Sequence, residues 1–163
     1  MKSNFSYDLL IIGGGISACV FASKYLQNNI TKKIALIEVG RGLGGRASTR
    51  ISKRFKGWKL NHGAPNFNIR NSNDNILLKN YIDELLENKF IKIDDSELII
   101  LGDETKSEII NKSEFYSGDS YLCSFSMNKL SQKIIELYDL SDKIDYFFET
   151  LIVDLKFNND EWT

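Results

Sequence analysis

Gly13, Gly14 and Gly15 stand directly behind the apolar run Leu9 to Ile12, and Ile16, Ser17 and Ala18 follow them. In that G-x-G-x-x-A arrangement the first glycine, Gly13, permits a tight turn. Gly15 lets backbone approach a pyrophosphate without a Cβ in the way, and Ala18 takes the small-residue place where helix meets strand. Orphan amides at the start of the helix then hold the phosphates. Glu38 comes about twenty residues later, at the distance expected of an acid that accepts hydrogen bonds from ribose hydroxyls. A carboxylate there repels a 2′-phosphate, which disfavours NADP, although Arg41 is one nearby cation that argues the other way. The chemistry implied is the binding of an adenine dinucleotide.

The elements that must position these residues are legible on either side. Leu9 to Ile12 has the length of a buried parallel strand, and Ala18, Cys19, Ala22 and Leu26 recur at helical spacing behind the glycines. Asn28 and Asn29 close that helix. Residues 33–39 form a second nearly continuous apolar run that ends around Glu38, so strand, helix and strand make a βαβ unit. The glycines alone would suit any tight turn; strand, helix, second strand and terminal acid together specify the nucleotide half-fold. That half-fold serves both NAD and FAD.

A second cluster separates the two. Arg41-x-x-Gly44-Gly45-Arg46-x-x-Thr49 resembles the segment after the second strand in the flavin amine oxidase superfamily, where the double glycine opens a short helix beside the FAD pyrophosphate. Gly44 and Gly45 supply backbone freedom, and Arg46 supplies a forked donor for phosphate or for a carboxylate. Trp58 to Phe67, with its His62-Gly63-Ala64-Pro65, resembles the "D-x-G-A-x-x-F" strand and turn near the flavin in renalase-like oxidoreductases, with Asn61 where an aspartate is common. Ser126-Met127-Asn128-Lys129-Leu130 is similar to their "G-M-N-x-L" helix start. Thr150 to Leu155 is similar to their returning strand, in which the position of Ile152 meets the adenine through its backbone.

The resemblance implies FAD as cofactor, with Gly13, Gly15, Ile16, Ser17, Ala18, Glu38, Arg41, Gly44, Gly45, Arg46, His62, Gly63, Ala64 and Ile152 around it. It also implies a small-molecule hydride donor, either a reduced nicotinamide-like compound or an amine, and oxygen as the electron acceptor. No catalytic residue is assigned. His62 is the candidate for a direct role at the flavin, against a backbone-bonded turn histidine. A binding-only protein that holds FAD without turnover and an NAD-dependent dehydrogenase remain the alternatives.

The expected architecture is an α/β, Rossmann-like FAD-binding βαβ domain with part of a second, strand-rich substrate domain. Residues 1–69 are read as the FAD-binding core, 70–125 as the start of the substrate domain and 126–163 as the return to the first. Asp74 or Asn75 caps a helix with the stripe Leu78, Ile82, Leu85 and Leu86, and Ser126 caps another with Met127, Leu130, Ile134 and Tyr138. Residues 97–101 and 108–110 read as strands, 111–119 as loop, and Ile152 to Phe157 as the first strand of a hairpin completed by residues 161–163, cut after a few residues. Relatives of about twice this length make a truncated end the expectation.

Composition bounds the rest. Of 163 residues, 42% are apolar and 26% charged, an ordinary balance for a chain able to bury roughly 70% of its unfolded surface. A single histidine excludes a multi-histidine metal site, and Cys19 and Cys123 are too far apart for metal-ligand spacing. No nucleophile elbow is visible. The net charge of −1 gives no electrostatic footprint for nucleic acid or an anionic membrane, so neither is expected as a partner, and Lys53, Arg54, Lys56 and Lys59 read as a solvated loop face. Few cysteines, no signal peptide and no stretch of transmembrane length lead to the expectation of a cytoplasmic protein.

Overall fold

The apolar run Leu9–Ile12 forms strand β1, and a computed structural model places it beside β2, Ile34–Ile37, in parallel register. The structure describes residues 6–70, 75–101, 107–111, 115–158 and 161–162. Between the two strands lies α1, Ile16–Asn28, whose Cys19, Ala22, Ser23 and Leu26 are buried. Three of these four side chains are small, which lets the helix axis approach the sheet closely. The βαβ unit expected from the sequence is present.

Two compact units make up the chain: residues 1–48 with 128–163, and residues 49–127. In the first, β2 is the central strand of three, flanked by β1 and by β10, Ile144–Phe147, which also runs parallel to it. The aligned rows Leu9/Ile34/Ile144 and Ile11/Leu36/Tyr146 share one face, and Ile34, Leu36 and Ile144 are buried there. On the opposite face Leu10 and Ile12 stay partly exposed. Helix α3, Met127–Glu136, buries Leu130, Ser131, Ile134 and Ile135, and the Ser23 hydroxyl of α1 donates to the Ile134 carbonyl at 3.0 Å. The fold of this unit is Rossmann-like.

The second unit is strand-rich. The hairpin β3, Thr49–Ile51, and β4, Lys59–Asn61, comes first. Strand β9, Gly118–Cys123, then pairs antiparallel with both β5, Phe67–Arg70, and β6, Ile91–Ile93. Gly118 has to lack a side chain, because a Cβ there would lie 2.2 Å from the Ile69 carbonyl oxygen. Helix α2, Ile76–Glu87, is capped by Asn75, whose side chain accepts from Leu78 N–H at 3.1 Å; Ile82 and Leu85 are its buried positions. Strands β7, Glu97–Leu101, and β8, Ser107–Asn111, form a separate hairpin.

Several expectations change. Leu78 of the α2 stripe is partly exposed, and Tyr138 lies in the turn after α3 instead of on the helix. Residue 111 belongs to β8, and residues 118 and 119 to β9, not to a loop. Ile152 to Lys156 is not a strand; the hairpin is confined to β11, Phe157–Asn158, and β12, Glu161–Trp162. The amides of Glu149 and Thr150 are already bonded to the carbonyls of Gly40 and Glu38, which directs the chain away from the sheet after β10. Asp74, one of the two cap candidates, lies outside the described residues.

Cys19 has no measurable exposure, and burial pushes its thiol from the ordinary 9.0 up to about 11. Between those values the unfolded thiol loses its proton while the folded one keeps it, so the unfolded state binds fewer protons and stability falls as pH rises. Chemical denaturation from pH 8 to pH 11 is expected to show a decline in the parent that Cys19→Ala reduces by about 2 kcal/mol. Parallel pH profiles for the two proteins would exclude this burial effect.

Candidate functional site

The first glycine cluster turns the chain from β1 into α1. Gly13 has φ +96°, a left-handed value that costs glycine nothing, and its N–H donates to the Ile37 carbonyl at 2.7 Å. Gly15 is the N-cap residue of α1, and the first helical bond runs from Cys19 N–H to the Gly15 carbonyl at 3.1 Å. The amides of Ile16, Ser17 and Ala18 precede that bond and have no intrahelical acceptor. No side chain caps this end and no acid occupies the first turn. A Cβ built on Gly15 would meet nothing within 4 Å. The helix start is therefore an open cradle of N–H groups at the positive end of the helix dipole, suited to an anion.

Glu38 is held beside it. One carboxylate oxygen accepts from Gly14 N–H and the other from Gly40 N–H, each at 2.6 Å. The backbone of Glu38 is fixed in turn, its N–H donating to the Phe147 carbonyl at 2.9 Å and its carbonyl accepting from Thr150 at 3.2 Å. An ionised carboxylate offers about four acceptor positions, so two remain after the amides are satisfied. Two is the number of hydroxyls on the adenosine ribose.

The second glycine cluster closes on the first. Gly44 N–H donates to the Gly14 carbonyl at 2.8 Å, and Gly15 and Gly44 form an isolated parallel bridge. Gly44 and Gly45 have φ of +131° and +53°, and a Cβ on Gly45 would sit 3.1 Å from Gly15 Cα. Arg41 and Arg46 are exposed and make no ion pair among the described residues. Ile152 is half-buried in the extended stretch beyond Thr150. The first unit thus brings together Gly13, Gly15, Ile16, Ser17, Ala18, Glu38, Gly44 and Gly45, and these residues fit a dinucleotide.

Gly14 and Gly40 were not legible as site residues, since each contributes only a backbone N–H. The clue available was the tight packing a glycine implies: a Cβ on Gly14 would lie 3.2 Å from the Glu38 carboxylate, and one on Gly40 2.9 Å from it. The same unit holds a half-open groove of about 470 Å³ whose lining includes Leu43, Gln132, Ile135, Tyr146 and Phe148. The rings of Tyr146 and Phe148 stack at 5.6 Å, and burial pushes the Tyr146 phenol up to about 12. Neither Glu38 nor the first glycine cluster lines it.

His62, Gly63 and Ala64 belong to the second unit, directly after β4. His62 and Gly63 are exposed and Ala64 is half-buried. Asn61 before them accepts two bonds on its side-chain oxygen, from the Thr49 hydroxyl at 2.7 Å and from Met127 N–H at 3.1 Å. Among the described residues no group of three His, Cys, Asp or Glu side chains is placed to hold a metal, and no helix is long and apolar enough to cross a membrane.

Residues 11–85 match the family model of the NAD(P)-binding Rossmann-like domain. No curated protein matches the chain. Among solved structures the chain is similar to pqsL, a probable FAD-dependent monooxygenase from Pseudomonas aeruginosa, at 19% identity and a TM-score of 0.52 over 94% of this chain and 35% of that one. It also matches THI4 of Thermovibrio ammonificans, at 16% identity and a TM-score of 0.48, over 99% of this chain and 45% of that one. The chain thus spans about a third to a half of the length of these proteins. The family match and the sheet order define a Rossmann-like fold.

Contact between the two glycine clusters is the geometric heart of the site, and it can be tested without a ligand. Gly45→Ala puts a side chain at a left-handed φ and against Gly15, and should lower stability by about 1 to 2 kcal/mol. Gly42→Ala, where φ is not positive and a Cβ meets nothing within 4 Å, should be neutral or stabilising by about 0.4 to 1 kcal/mol. Urea unfolding of both variants checks the contrast, and equal effects would show that the clusters do not meet as described.

Proposed function

We propose that this chain binds FAD and forms the cofactor-binding part of a renalase-like oxidoreductase, which takes a hydride from a reduced nicotinamide-like compound or an amine and passes electrons to oxygen. The observation that carries the reading is Glu38, clamped by amides of both glycine-containing loops beside an uncapped helix start. The resemblance of Arg41 to Thr49 and of Trp58 to Phe67 to flavin amine oxidases favours FAD over NAD.

The chain's own part is binding and orientation. The amides of Ile16, Ser17 and Ala18 would hold the pyrophosphate, Glu38 would accept from the ribose hydroxyls, and Arg46 would supply a positive fork for phosphate charge. Ile152 would lend backbone to the adenine end. FAD, when bound, supplies the hydride-accepting N5 and the reaction with oxygen that yields hydrogen peroxide.

The test is titration of the purified chain with FAD, NAD and NADP, followed by addition of reduced nicotinamide isomers and amines. FAD is expected to bind most tightly. Glu38→Ala should weaken it at least tenfold, since each charge-assisted bond lost is worth about 1.5 to 3 kcal/mol. Unchanged affinity in that variant, or preference for NAD, would overturn the assignment. In a protein comprising this chain and a substrate domain, the flavin band near about 450 nm, a property of the cofactor, should bleach anaerobically with a hydride donor. Tight FAD binding with no bleaching by any such donor would favour a binding-only protein.

A further inference from the structure

The β3–β4 hairpin carries a charge pattern that the whole-chain value of −1 averages away. Arg50, Lys53, Arg54, Lys56 and Lys59 are five of the chain's 21 cations, and none of its 22 acids falls between Thr49 and Asn61. Interleaved with them are Ile51, Phe55, Trp58 and Leu60, each between 51% and 63% exposed. A merely solvated basic loop has no use for four large apolar side chains held in water.

The hairpin is built, not frayed. Ser52 N–H donates to the Trp58 carbonyl at 2.9 Å, Trp58 N–H to the Phe55 carbonyl at 3.2 Å, and Phe55 N–H to the Ser52 hydroxyl at 3.0 Å. Gly57, at φ +86°, makes the turn. Strand alternation puts Trp58 and Leu60 on one face with Arg50, which pairs across from Leu60, and puts Ile51 with its partner Lys59 on the other. At the tip the rings of Phe55 and Trp58 lie 5.4 Å apart at 37°, and the Arg54 guanidinium sits 5.4 Å from the centre of the Phe55 ring.

We propose that this hairpin docks on an anionic lipid bilayer. Charge complementarity selects the occupant: clustered Lys and Arg are drawn to a negatively charged leaflet, while Trp and Phe favour the headgroup boundary and aliphatic side chains the hydrocarbon just below. A single-stranded nucleic acid would satisfy the cations, but it needs open ring faces for base stacking. Here Phe55 is flanked by Arg54 and Trp58, and bases have no use for Leu60, exposed on the same face as Trp58. The proposal concerns a surface of the second unit and does not rest on the cofactor reading.

The experiment uses the full chain with Trp162→Phe, so that Trp58 is the one tryptophan. Vesicles of phosphatidylcholine with about 30% phosphatidylserine, and vesicles of phosphatidylcholine alone, are the probes. Sedimentation with the anionic vesicles, a blue shift of Trp58 emission and reversal at high salt are expected, with little binding to neutral vesicles. Lys53→Gln with Arg54→Gln should weaken partitioning on the order of thirtyfold, and Phe55→Ser should reduce the blue shift. These side chains are surface groups, and urea unfolding of each variant confirms that the fold is kept. Absence of binding to the anionic vesicles, equal binding to both kinds, or binding of a single-stranded oligonucleotide in preference to them would overturn the proposal.

Discussion

The two bonds that the Glu38 carboxylate accepts from Gly14 and Gly40 are the interaction on which the first unit depends. They join the turn before α1 to the loop after β2, which are separated by the whole helix. Around them, Gly44 bonds Gly14, Glu149 bonds Gly40, and Thr150 and Phe147 bond the backbone of Glu38. Four stretches of chain therefore converge on one half-buried acid. Charge-assisted bonds to backbone amides contribute about 1.5 to 3 kcal/mol each. The exposed pair of Lys32 with Asp8 at 2.7 Å is screened by water and salt, and does not compete with them in fixing the fold.

The same arrangement links stability to binding. A carboxylate held on two amides loses little freedom when it meets a ribose, because its rotamer is already fixed, and preorganisation of this kind lowers the entropic cost of association. The glycines act likewise. Gly13, Gly44 and Gly45 adopt backbone angles that other residues resist, and the space beside Gly15 is open because no Cβ fills it.

Most of this unit was legible in the sequence because its signals are local. The apolar runs, the glycine spacing, the small face of α1 and the acid all lie between Leu9 and Glu38, and the structure builds strand, helix and strand from that stretch. Strand β10 was not legible. Its four residues, Ile-Asp-Tyr-Phe, carry no turn-and-run signature, and its partner β2 lies more than a hundred residues earlier. The opposite error arose at Ile152 to Leu155, where an apolar run suggests a strand. A strand requires ladder partners, and here Leu151 and Val153 are largely exposed while the amides just before them bond the Glu38 loop. Local pattern reports burial well and pairing poorly.

Asn61 shows how a departure from a family pattern can be read in physical terms. The pattern that residues 58–67 resemble has an aspartate at this place, and the exchange removes a charge while keeping a carbonyl oxygen. Both bonds that Asn61 makes, from the Thr49 hydroxyl and from Met127 N–H, fall on that one oxygen. Neither needs a negative charge. Met127 is the first residue of α3, and an aspartate there would add an attraction to the helix dipole of about 0.3 to 1 kcal/mol. It would also hold a carboxylate in a half-buried position. The amide forgoes the first effect and avoids the second, so the position keeps its structural bonds while losing the capacity to attract or stabilise positive charge.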